Sequence, residues 1–142
     1  MKNLWPEVFQ ENTKLSAKSL LEEQAKLLGK ITGGIVFSEV TAMSALDAAL
    51  ESIKGEFVYR FDIMGKFLEN YRFNVLCFSH DITLYPVKFR LDEKIAKELG
   101  IGSKYDRTHN IGSEEELEKF ISSVLTSERV KDVVGSIMRL SK

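Results

Sequence analysis

The stretch YRFNVLCFS, Tyr71–Ser79, decides how the chain is read. Its residues alternate in character: Tyr71, Phe73, Val75 and Cys77 stand against Arg72, Asn74, Leu76 and Phe78. A period of two marks a strand with one face on a core. The segments on either side repeat the pattern. GEFVYRFDIM (Gly55–Met64) sets Phe57, Tyr59, Phe61 and Ile63 against Val58, Arg60, Asp62 and Met64. ITLYPVKFRL (Ile82–Leu91) offers Thr83, Tyr85, Val87, Phe89 and Leu91 to the core and turns Lys88 and Arg90 outward. Three consecutive alternating runs predict antiparallel strands covered on one side. Pro86 has no amide hydrogen, which places the last of them at an edge or at a bulge. A fourth strand is predicted at IVFSEVTA (Ile35–Ala42), which follows the Gly33-Gly34 breaker and is rich in β-branched residues.

Around these strands the pattern is helical. Ser16 is placed to cap a first helix that ends near Gly29, with Ala17, Leu20, Leu21, Leu27 and Leu28 on one side. Ser44–Lys54 reads as a short helix, and Asp92–Leu99 as another that stops at Gly100. A polar loop, GSKYDRTHN (Gly102–Asn110), leads to Ser113 and Glu116 at capping-box spacing, and a last helix covers Ser127 to Leu140. The expected architecture is a two-layer α+β fold. It has a four-stranded, mainly antiparallel sheet with helices packed on one face, in the order α-β-(α)-β-β-β-α-α-α. One domain spanning residues 1–142 accommodates all of it.

Composition limits the function. Hydrophobic residues make up 44% of the 142, charged residues 29%, and the net charge is -1 with both signs interleaved. No general attraction to nucleic acid or to an anionic membrane follows from that balance. The single cysteine, Cys77, rules out an internal disulfide framework and makes the cytoplasm the expected location. The opening MKNLWPEVFQEN lacks the apolar run of a signal peptide, and no run approaches the roughly 20 residues that span a bilayer.

The chemically richest stretch is CFSHDITLYP (Cys77–Pro86), with a thiol, a hydroxyl, an imidazole and a carboxylate within five residues. Neighbours on a strand point to opposite faces, so Ser79 and His80 do not pair as nucleophile and base by adjacency. Ser79, His80 and Asp81 read as a hairpin corner. Cys77, sharing a face with Phe73 and Val75, reads as a buried and inert thiol. No metal site is expected, because Cys77, His80, Asp81 and His109 show no paired ligand spacing. LGIGSK (Leu99–Lys104) follows a helix and lacks the spacing of a phosphate loop, so no nucleotide cofactor is implied.

What remains is the outer sheet face, where the register places Arg60, Arg72, Asn74, Phe78, Lys88 and Arg90 together. These residues are the candidate binding face. Its apolar members Val58, Met64, Leu76 and Phe78 suit a protein partner or a second copy of the chain. Its cations and aromatic also suit a single-stranded nucleic acid. The leading expectation is a non-catalytic interaction protein that binds a protein partner or itself. A nucleic-acid-binding module comes second. An enzyme with a pocket between the Ser79–Asp81 corner and the Tyr105–Asn110 loop comes third.

Overall fold

The computed structural model describes residues 1–103 and 106–142. Helix α1 (Ala17–Ile31) leads into strand β1 (Val36–Ala42), a short helix α2 (Ala45–Leu50) and strands β2 (Phe57–Gly65), β3 (Leu68–His80) and β4 (Val87–Leu91). Helix α3 (Glu93–Leu99), strand β5 (Thr108–Ile111) and helices α4 (Glu114–Leu125) and α5 (Glu128–Leu140) complete the chain. The strands form one antiparallel meander in the order β1-β2-β3-β4-β5.

The α+β class is as expected, but the sheet has five strands instead of four. The fifth comes from the end of the polar loop, where Thr108, His109 and Asn110 lead into Ile111. Only Ile111 of that strand is buried, so it carries almost no hydrophobic alternation. It pairs with Val87–Arg90 and takes the outer position, which leaves β4 internal. Pro86 stands just before β4, where its missing amide costs no ladder bond.

Local signals account for the helix ends. Ser16, Ser44, Ser113 and Ser127 each accept a hydrogen bond from the backbone amide three residues on. Helix α1 runs past Gly29 and ends where the Thr32 hydroxyl accepts from the Val36 amide at 3.1 Å. Gly100 adopts φ 68° as the stop of α3, the left-handed conformation that glycine takes without strain.

The main core lies between one sheet face and helices α1, α3, α4 and α5. Leu21, Phe61, Phe78, Phe89, Leu117 and Ile137 are fully buried, each worth about 1.5–3 kcal/mol in removed apolar surface. The second correction is that helices do not all share this face. Ala48 of α2, with Ile53 just after it, packs over Cys77 on the opposite side, forming a separate small cluster with Met43 and Val58.

A bulge explains the third correction. Phe61 pairs with Leu76 but Asp62 pairs with Asn74, which leaves Val75 as an extra residue in β3. Before it, Phe73 faces the core and Arg72 and Asn74 face out, as alternation predicts. After it, Leu76 and Phe78 turn into the main core, and Cys77 turns out beneath α2. Phe78 is 0% exposed and stacks near Tyr59 and Phe89. It is no part of an exposed binding face.

Candidate functional site

The outer face is organised around Asp62, whose side chain is fully buried among polar groups. Its Oδ2 accepts from Arg60 Nε at 2.8 Å and from Arg72 Nη1 at 2.7 Å, and its Oδ1 accepts from Asn74 Nδ2 at 2.9 Å. Arg72 also donates to Glu39 Oε1 at 2.8 Å. The hydrogen bond to Asp62 is the main reason that both guanidiniums are held above their ordinary pKa. A carboxylate on a sheet face is tolerated because three donors surround it.

Arg90 stands two strands from Arg60, with Cys77 between them in register, and donates to Glu51 Oε2 at 3.2 Å. Burial pushes the Cys77 thiol up to about 11, with the nearby Glu51 adding to the effect. A thiol so held stays protonated and unreactive at neutral pH.

At the end of this face a concavity of about 380 Å³ brings four arginines together. Arg72 comes from β3, Arg90 from β4, Arg107 from the segment before β5, and Arg129 from the first turn of α5. Arg129 lies over the Phe73 ring, 5.0 Å from its centroid, and its Nε stands 3.5 Å from Asp92 Oδ2. That Nε is buried yet makes no hydrogen bond among the described residues. Arg107 has no carboxylate partner among the described residues. Counting the face and the concavity together, Arg60, Arg72, Arg90, Arg107 and Arg129 meet Glu39, Glu51, Asp62 and Asp92. Of the four arginines that line the concavity, Arg107 is the one without a carboxylate partner among the described residues.

The structure thus brings together Arg60, Arg72 and Asn74 through Asp62, and sets Arg72 and Arg90 on one concavity. Lys88 lies farther along β4 and does not line that concavity, while Phe78 belongs to the core. Arg107 and Arg129 were not among the candidates. Arg107 sat in a stretch that reads as loop, and Arg129 on the polar side of a helix, so only the tertiary fold joins them.

The hydrolase candidates separate. Ser79 and His80 both lie within β3 instead of forming the corner. The Ser79 hydroxyl donates to the Lys54 carbonyl at 2.8 Å, on the outer side. His80 stacks on Phe57 and Tyr59, and its Nδ1 is 2.7 Å from the Asp81 carbonyl. His109 packs against Phe120, and Tyr105 lies outside the described residues. Among the described residues, no three His, Cys, Asp or Glu side chains cluster to hold a metal, and no helix is long and apolar enough to cross a membrane.

Compared with known proteins, the chain finds no matching family model, and no curated protein or solved structure matches it significantly.

Proposed function

We propose that the chain is a non-catalytic binding protein, and that its arginine-lined concavity holds an acidic segment of a protein partner. The observation that carries this reading is the convergence of Arg72, Arg90, Arg107 and Arg129 from four separate segments. Guanidinium groups match carboxylates in a planar, two-bond geometry that ammonium groups do not offer. Arg107 is open to such a pair. Arg90 lines the same concavity, and its present partner there, Glu51, is 42% exposed.

A protein partner suits this surface better than nucleic acid. Phe78, the expected stacking platform, is buried. A reducing compartment such as the cytoplasm suits a chain whose single cysteine gives no internal disulfide.

Titration of the full chain with a fluorescent glutamate-rich peptide and with a single-stranded oligonucleotide of equal charge tests the reading. The peptide is expected to bind, more weakly as salt rises, and the oligonucleotide to bind less well at every salt concentration. Tighter binding of the oligonucleotide would replace the protein partner with nucleic acid.

A further inference from the structure

The chain carries an unfilled apolar slot and an unburied apolar segment, and the two are complementary. Residues 1–14 have no helix or strand. Within them Leu4, Trp5, Val8 and Phe9 recur at the spacing of one helix face, and Trp5 and Phe9 remain 74% and 71% exposed. The two rings meet edge to face at 5.9 Å and have no other ring contact among the described residues. The arm joins the body at Leu15, whose amide donates to the Glu114 carboxylate and whose carbonyl accepts from Tyr85 Oη at 2.6 Å.

The slot opens between α1 and α5, where Leu28, Phe61, Ile63 and Val134 line about 170 Å³. A cavity of about 150 Å³ accepts a benzene ring, so the slot has room for one aromatic side chain. Ser38 lies in its lining with a buried hydroxyl that has no hydrogen-bond partner among the described residues. An indole brings an N–H donor to such an acceptor, which a phenyl ring does not. Ile31, 81% exposed, and Leu27 extend the apolar surface outward from the slot's mouth. Lys30, one helical turn from Leu27, has no ion-pair partner among the described residues and suits Glu7 of the arm.

We propose that two copies of the chain exchange arms, Trp5 of each entering the α1–α5 slot of the other. Within one copy the arm stands clear of the slot, as its exposure shows. Reciprocal exchange meets the area that a stable dimer needs. With Trp5 in the slot and Phe9 laid on the exposed Leu27 and Ile31 at its rim, each buried aromatic removes about 150–250 Å², so two arms with two rings apiece remove about 600–1,000 Å². The receiving surfaces double that to about 1,200–2,000 Å², the range of specific interfaces. This contact uses neither the arginine concavity nor its ligand, so the two readings stand or fall separately.

Trp5 is the chain's one tryptophan, which makes its fluorescence a direct reporter. Emission and light scattering of the full chain are followed together over a dilution series. The expected result is a dimer with blue-shifted emission that reddens as it dissociates. Trp5→Ala, with its arm disabled, and Leu27→Gln/Ile31→Gln, with its slot rim disabled, should each be monomeric at concentrations where wild type is dimeric. Both variants change exposed residues and should keep the wild-type circular dichroism. Mixed together they retain one intact arm and one intact slot, so emission from the slot variant's Trp5 should shift to the blue. A monomer at all concentrations overturns the proposal, whether its emission is red throughout or blue at every dilution from the arm folding onto its own slot. A dimer that survives Trp5→Ala overturns it as well.

Discussion

The two parts of β3 on either side of Val75 follow the same chemistry and end with opposite outcomes. From Tyr71 to Asn74 alternation holds, so Phe73 enters the core and Arg72 and Asn74 meet Asp62 on the outer face. From Leu76 to His80 the faces are exchanged, with Phe78 in the core and Cys77 beneath α2. One unpaired residue makes the difference, because side chains repeat every two residues along a strand. The first part supplies the charges of the proposed site. The second supplies the apolar anchor that holds the sheet on its helices and the small cluster that holds α2 against the outer face.

The largest effect that breaks this comparison is expected at Phe78. Phe78→Ala removes a fully buried ring and should cost about 3–5 kcal/mol by urea unfolding. A loss below 1 kcal/mol would return Phe78 to the surface and remove the bulge. Asp62→Asn comes next. It keeps the shape but leaves Arg60 and Arg72 without their shared anion, at an expected cost of about 1–3 kcal/mol. A double-mutant cycle with Arg72→Gln should show coupling between the two, and additive losses would dissolve the network.

Cys77 sharpens the comparison more gently. It should label slowly in the native chain and quickly in urea, because burial and a raised pKa both oppose the thiolate. The sign of the pH effect follows from the same shift. An unfolded thiol ionises from about pH 8.5, whereas the folded one holds its proton to about pH 11. Between those values the native state binds more protons, so this group's contribution to stability falls as pH rises. Denaturant midpoints at pH 8 and 10.5 should therefore fall further apart in wild type than in Cys77→Ala. Equal falls would mean that the thiol is exposed to solvent.

Much of this was legible in the chain itself. In β2 the pattern placed Tyr59, Phe61 and Ile63 on the core correctly, because those residues alternate without an extra residue in that strand. In β3 the only mark of the bulge is Val75–Phe78, four residues without a polar side chain in an otherwise alternating run. Such a run says that both faces are covered but not where the register slips. Strand β5 escaped notice because an edge strand of Thr, His and Asn is held by backbone pairing, which no side-chain pattern records. Within the candidate site, Arg72 and Arg90 were visible as outward strand residues. Arg107 and Arg129 were not, since their convergence depends on how α5 and the β5 lead-in fold around the end of the sheet.

The most direct test of the arginine site compares two charge reversals of equal size on one surface. Arg107 lines the concavity, and Lys88 faces the same side outside it. Arg107→Glu and Lys88→Glu change the net charge identically, so long-range attraction falls alike in both. Titrated with the glutamate-rich peptide, Arg107→Glu should weaken binding about tenfold, the equivalent of about 1.4 kcal/mol. Lys88→Glu should stay within about twofold of wild type, a difference of about 0.4 kcal/mol on the same scale. Equal losses from the two variants, or none from Arg107→Glu, would contradict a site built by the four arginines.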